Sequence, residues 1–380
     1  MDFSWNEDIL AEAERVAQFA QTELNGDTHA NDRNCEFDRK NWQRCADFGI
    51  MGWSVPKSFG GAGYDARTTV RLLEAFGYGC DDSGLAFAIN SQMWSVQPAI
   101  LKFGSEDQIR KFMPPLLNGR CGAFGITEAD SGSDTFALKA TAKRVDGGYV
   151  LNGTKKYVTL APEADIAVMF ANSNPAVGRW GVTAFIVERG AEGFRTTATQ
   201  PKMGLRSTPI GDMIFEDCFV PESQRLGPEG AGNSIFTTAM NSERGYIFAS
   251  QLGAMERQLD QSIEYVKQRR QFGEPVSKNQ AVSHRISDMK LRHELARLIL
   301  YKVAWLDDQG QPASMAASLA KLHLSEMFVE SSLDAIRNHG ARGYMSEFGV
   351  ERDLRDSVGG LIYSGTSDIQ RNIIASLLGL

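Results

Sequence analysis

Apolar residues in the first third of the chain recur at spacings of three and four. Ile9, Leu10, Ala13, Val16, Ala17, Phe19 and Ala20 form one such stripe and predict an amphipathic helix. Trp42, Cys45, Phe48 and Ile50 predict a second, ended by Gly49 to Gly52, and helices are expected again over 68–77, 83–103 and 106–117. Between them, Pro56 to Gly63 (Pro-Lys-Ser-Phe-Gly-Gly-Ala-Gly) holds too many breakers for either regular element. From Cys121 to about Val220 the period changes. Tyr149 to Thr159 (Tyr-Val-Leu-Asn-Gly-Thr-Lys-Lys-Tyr-Val-Thr) reads as two strands joined through Asn152-Gly153, a strong short hairpin signal, with further strands over 165–171, 182–187 and 213–219. From Gly227 onward the stretches 234–270, 279–309 and 313–340 read as long amphipathic helices with short connections, the pattern of a bundle. Internal repeats and low-complexity segments are absent. The expected architecture is α+β: a helical domain over 1–120, a small antiparallel β-domain over 121–226 and a helical bundle over 227–380.

Composition narrows the function classes. With 42% hydrophobic and 23% charged residues, the 380-residue chain is an ordinary globular protein. A net charge of -7 argues against nucleic acid or an anionic membrane as the main partner. No apolar run reaches the roughly 18 residues of a membrane span. Met1 to Leu10 carries Asp2, Glu7 and Asp8 and no basic stretch, so it does not read as a signal peptide. Cys35, Cys45, Cys80, Cys121 and Cys218 are scattered without a CxxC, as expected of reduced thiols in a cytoplasmic protein. Five histidines without HExxH spacing give no expectation of a metal site.

Four short clusters carry candidate chemistry. Phe124 to Asp134 (Phe-Gly-Ile-Thr-Glu-Ala-Asp-Ser-Gly-Ser-Asp) runs from a strand into a loop dense in hydroxyls, which can offer N–H groups and the Thr127 and Ser133 hydroxyls to a ligand or simply form a solvated turn. Tyr157 and Thr159 share a strand face, suited to a planar heterocycle or to an ordinary half-buried strand. Arg269-Arg-Gln-Phe-Gly273, with Gln280 beyond it, closes a long helix with two cations. These can pair with a pyrophosphate or only complement the helix dipole. Ile362-Tyr-Ser-Gly-Thr-Ser-Asp-Ile-Gln370 holds an N-cap, Thr366 or Ser367, that opens a last helix.

In this order across an α–β–α chain, the four clusters resemble the landmarks of the acyl-CoA dehydrogenase family, and the similarity spans essentially the whole chain. The resemblance implies an N-terminal helical domain, a central β-domain and a C-terminal four-helix bundle, assembled as a homotetramer. It also implies FAD held between the β-domain and the bundle with help from a neighbouring subunit. Carried over by motif, Phe124, Ile126, Thr127 and Ser133 would line the flavin and a pantetheine arm. Tyr157 and Thr159 would pack on the flavin ring. Arg269, Phe272 and Gln280 would reach the FAD of the adjacent subunit, whereas Gly365 and Thr366 would close over the phosphate side of the flavin.

The pattern breaks at one position. Between Tyr363 and Gly365 many members carry the glutamate that takes the substrate's α-proton; here stands Ser364, which cannot act as a base at neutral pH. A minority branch, including isovaleryl- and long-chain acyl-CoA dehydrogenases, instead places glutamate just before the arginine of a bundle helix. Glu243 of Asn241-Ser-Glu-Arg244 matches that placement. The resemblance thus implies Glu243 as the catalytic base, with Arg244, Ile247, Tyr363 and Ser364 around the substrate and the thioester carbonyl facing the Ser364 N–H. Arg337 and Asp368 stand where many members have glutamine.

Met255-Glu-Arg-Gln-Leu-Asp-Gln261, Asn279-Gln-Ala-Val-Ser-His-Arg-Ile286 and Tyr363-Ser-Gly-Thr-Ser-Asp368 are similar to the branch of this family that oxidises a prolyl group on a carrier protein. That branch implies an acyl or peptidyl carrier protein bearing a phosphopantetheine thioester as partner, and a flavoprotein or O2 as electron acceptor. A short or branched acyl-CoA is the alternative substrate, and a non-catalytic flavin- or carrier-binding protein is the alternative from another class.

Overall fold

The computed structural model describes residues 4–380; Met1 to Phe3, part of the segment read as carrying no leader, lie outside the described residues. Seven helices open the chain: α1 (Glu7–Glu23), α2 (Thr28–Asn34), α3 (Arg39–Phe48), α4 (Ala66–Gly79), α5 (Ser83–Ser91), α6 (Gln97–Phe103) and α7 (Glu106–Leu117). Asn6, Asp38, Asp65, Asp82 and Ser105 cap five of them by accepting backbone N–H groups. The single helix expected over 83–103 is α5 and α6 joined by a π-turn, Gln92–Val96. Short α2 carries no apolar stripe and was not foreseen.

Eight strands form the central sheet among the described residues: β1 (Gly122–Gly125), β2 (Thr141–Val145), β3 (Gly148–Thr159), β4 (Ile166–Asn172), β5 (Val182–Glu188), β6 (Phe194–Thr196), β7 (Ile210–Pro221) and β8 (Arg225–Leu226). The path runs β6-β7-β3-β2-β4-β5-β8 with β1 beside β4. Most pairings are antiparallel as expected, but β1 and β2 meet β4 in parallel. The Asn152-Gly153 hairpin is not formed. β3 passes straight through both residues with a register shift between Leu151 and Gly153, and a Cβ on Gly153 would stand 2.6 Å from the Ala140 Cβ. Glycine is there for close approach within a bulge, not for a turn. The hairpin lies at Asp146-Gly147, between the paired Val145 and Gly148, with Gly147 at φ +74°.

The bundle comprises α8 (Gly232–Tyr246), α9 (Ala249–Gln268), α10 (Gln280–Asp308) and α11 (Ser314–His339), followed by α12 (Ala341–Tyr344), α13 (Val350–Gly359) and α14 (Ser367–Leu377). The expected continuous helix over 234–270 breaks between α8 and α9. Tyr246, Ile247 and Phe248 are all buried at 2% exposure or less. All three pack into the same apolar core at the break. Among the described residues no helix is long and apolar enough to cross a membrane, and all five cysteines are free.

Asp356 of α13 accepts the Leu205 N–H at 2.5 Å, fastening the 202–208 loop under the bundle. Burial pushes its carboxyl up to about 7, against the pull of that hydrogen bond and of Arg352. The fold therefore favours the protonated form, and this residue's contribution is greatest below the unfolded carboxyl's pKa and falls as pH rises toward 7. Relative to Asp356→Asn, the wild type should lose on the order of 3 kcal/mol between pH 4 and pH 7. Urea unfolding of both proteins across that range checks the slope.

Candidate active site

α8 delivers Glu243 and Arg244 on its last turn, just before the break. Phe248, just past the break, stacks on Tyr363 with ring centroids 5.5 Å apart, and Phe87 of α5 meets Tyr363 at 4.6 Å. Held between those rings, Tyr363 leads into a turn of two left-handed residues, Ser364 at φ +57° and Gly365 at φ +87°. A non-glycine residue in that region costs roughly 1 kcal/mol or more, the sort of strain that persists where surrounding structure imposes it. Gln370 imposes it here: its side-chain amide donates to the Ser364 and Gly365 carbonyls at 3.2 and 3.1 Å. The result is that Ser364 Oγ donates to Glu243 Oε1 at 2.5 Å. Thr366 caps α14 by accepting the Ile369 N–H, as expected.

The electrostatics suit a base. Desolvation pushes the Glu243 carboxyl above its ordinary value, opposed by the Ser364 hydrogen bond and the charges of Arg244 and Lys321. Glu243 stays partly accessible, so the group is poised rather than sealed. Ile247 is fully buried beside it in the core on which Tyr363 packs.

A second group of predicted residues meets on the sheet. The Lys156 N–H donates to the Thr127 carbonyl at 2.8 Å, bringing the Phe124–Asp134 segment against the Tyr157 strand. Phe124 faces Phe236 of α8 at 6.5 Å, and Ile126 is buried, while Ser133 is exposed. β3 bulges between Lys155 and Val158, with Tyr157 at φ +56° and 69% exposed, so Tyr157 and Thr159 both lie off the core face. An exposed aromatic held in a strained conformation beside hydroxyls offers a stacking surface for a planar ring.

Lys155 and Glu128, which sequence reasoning passed over, fix this corner. Lys155 is fully buried and pairs with Glu128 at 2.6 Å, and Glu128 also accepts the Lys139 and Ala140 N–H groups at 2.6 and 3.0 Å. The one available signal was phase: strict alternation would put Lys155 beside Tyr157, and the bulge turns it inward.

Arg269, Phe272 and Gln280 do not join either group. They lie around an exposed hairpin, β9 (Arg270–Gln271) with β10 (Glu274–Pro275), at the far end of α9, about 30 Å along that helix from the Glu243 turn. Phe272 is wholly exposed at φ +52°. Arg337 pairs with Asp334 at 2.9 Å, and Asp368 with Arg371 at 3.2 Å. Glu74 of α4 with Glu256 and His293 of the bundle bring ligand-type atoms within 4.8 Å of one another, but Arg297 at 2.9 Å and the Tyr301 hydroxyl at 2.5 Å already engage both Glu74 oxygens.

A half-buried carboxylate at the break of a bundle helix is met by the turn before the last helix, and the chain that builds this site matches one family in sequence. The N-terminal, middle and C-terminal domain models of acyl-CoA dehydrogenase match residues 6–120, 123–218 and 230–379. The chain belongs to the acyl-CoA dehydrogenase family. It is 43% identical, over the full length of both chains, to an L-prolyl-[peptidyl-carrier protein] dehydrogenase of Pseudomonas fluorescens. Among solved structures it matches the prolyl acyl carrier protein oxidase AnaB with TM-score 0.98 and 42% identity, covering 99% of this chain and 100% of that one. It matches PigA with FAD and proline with TM-score 0.97 and 38% identity, covering both chains completely.

Removing one partner of the Glu128–Lys155 pair strands a buried charge. Glu128→Ala should destabilise the protein by roughly 3–5 kcal/mol in urea unfolding, and Glu128→Ala/Lys155→Met by clearly less.

Proposed function

We propose that this protein is an FAD-dependent dehydrogenase that oxidises the α,β-bond of a prolyl thioester carried on the phosphopantetheine arm of a carrier protein, with Glu243 as the base. The observation that carries the reading is the Ser364–Glu243 hydrogen bond at 2.5 Å. It supports one base, not an empty base position, because the serine that stands where many members have glutamate donates to the carboxylate that replaces it. Likeness to proteins named for prolyl-carrier substrates over the whole chain supports the substrate class.

The residues present fit FAD. Tyr157 offers an exposed ring face beside Thr127 and Thr159, and the Ser367 hydroxyl, buried at the N-terminus of α14 without a hydrogen-bond partner, suits a phosphate oxygen. Phe124, Ile126 and Ser133 would line the approach to that surface, and Gly365 and Thr366 the phosphate side. Arg269, Phe272 and Gln280, too far along α9 to serve their own site, would serve the FAD of a second copy in a homotetramer. When bound, FAD supplies the acceptor for the hydride leaving the β-carbon.

The chain's own groups do the rest. The Ser364 N–H donates to the thioester carbonyl, stabilising the charge that builds there as the α-proton departs. Glu243 takes that proton, and burial raises its affinity for protons above that of an ordinary carboxylate. Tyr363, Ile247 and Phe248 exclude water around the reacting carbons, and Arg244 balances the carboxylate's charge.

Anaerobic mixing with L-prolyl-carrier protein should bleach the flavin, and Glu243→Gln should slow bleaching by several orders of magnitude, read by stopped-flow absorbance. An unchanged rate in the variant contradicts the assignment. Bleaching by short acyl-CoA thioesters alone would move the substrate to that class. Phe272→Asp should weaken both FAD retention and assembly, measured by bound-flavin absorbance and light scattering.

A further inference from the structure

Lys321 lies in the middle of α11 and has no accessible surface. Lysine is almost never buried so completely unless it is paired. Yet its Nζ has no hydrogen-bond partner. Its position explains the anomaly. Ala317, one turn earlier on the same face, lies 3.9 Å from where a Cβ on Gly245 would stand, so this face of α11 packs against the last turn of α8. That turn carries Glu243 and Arg244.

We propose that Lys321 is a positioning residue for the dehydrogenation: a buried ammonium that faces the Glu243–Arg244 turn and holds the Glu243 carboxylate in its charged, proton-accepting form. The inference rests on the reading of Glu243 as the base.

The groups around the pair leave that role to Lys321. Glu243 faces Arg244 on its own helix, Lys321 from α11, and the uncharged Ser364 hydroxyl and Tyr363 phenol from the turn before α14. Its one hydrogen bond comes from a neutral hydroxyl, so no charged donor touches it. Lys321 faces Glu243 and Arg244 from α8 and Glu326 on its own helix. Arg371 of α14 pairs with Glu326 at 3.3 Å, drawing that carboxylate outward. Burial alone would hold Glu243 protonated and useless as a base, and a nearby cation counters that cost without occupying the oxygen that must meet the α-hydrogen.

An ammonium in direct contact would compete for that oxygen. One step removed, it acts only through its field, which remains strong where water is excluded. Burial lowers the Lys321 pKa to about 8, so the charge is present through the neutral range.

The test is the pH profile of flavin reduction by L-prolyl-carrier protein in wild type, Lys321→Met and Lys321→Arg. Lys321→Met should lower the rate about tenfold on the acid limb, moving that limb up by about one pH unit, while the high-pH plateau is kept. Lys321→Arg should restore the wild-type limb. Equal loss at every pH, or superimposable limbs in wild type and Lys321→Met, would overturn the proposal. A second readout needs neither substrate nor a folded neutral variant. The carboxylate infrared band of Glu243 in the wild type, identified by its absence in Glu243→Gln, should shift as pH crosses about 8 and Lys321 loses its proton. A band that does not move there also overturns it. If wild-type flavin is not reduced by the thioester, the functional reading fails while the infrared titration still decides the role of Lys321.

Discussion

The hydrogen bond from Ser364 to Glu243 joins residues 121 positions apart, and the C-terminal half of the chain is arranged around it. Neither side chain could hold that contact alone. Glu243 depends on α8 ending where it does, beside Tyr246, Ile247 and Phe248, which are buried in the core. Ser364 depends on a left-handed turn that Gln370 pins from below and that the Tyr363 ring anchors between Phe87 and Phe248. The strain in the turn and the desolvation of the carboxylate are both unfavourable by themselves. They persist because the packed bundle leaves no alternative arrangement.

The sheet supplies a second, independent constraint. A fully buried lysine–carboxylate pair adds little net stability, but it fixes geometry, because any rearrangement would expose an unpaired charge to an apolar interior. Lys155 and Glu128 use this to lock the β3 bulge against the end of β1. The bulge in turn presents Tyr157 outward with its backbone strained. Glu243 and Tyr157 thus stand on different elements, each fixed by a polar side-chain contact nearby.

Much of this was legible in the sequence, for particular reasons. α1, α10 and α11 carry long runs whose periodicity or length leaves few alternatives, and the Thr366 cap declares the start of α14. Asn152-Gly153 misled because the dipeptide that favours a turn also suits a bulge where Ala140 approaches; only the partner strand distinguishes the two. The break after Tyr246 was hidden because Tyr246, Ile247 and Phe248 all tolerate a helix. Lys155 and Lys321 look like solvated charges in one dimension. Their burial is a property of bulge phase and helix facing, which local spacing does not record. Glu243 was found by family likeness and an absent glutamate at Ser364; its neighbours on α11 had no comparable signal.

The central claim is that one carboxylate, held by Ser364, meets the substrate's α-carbon. The most direct measurement is a crystal structure of the FAD-loaded protein with an unreactive thioether analogue of prolyl-phosphopantetheine. The account predicts the α-carbon facing Glu243 within about 3.5 Å of its free carboxylate oxygen, with Ser364 still donating to the other. An α-carbon directed at any other titratable group, or a Glu243 turned away from the ligand, would contradict it.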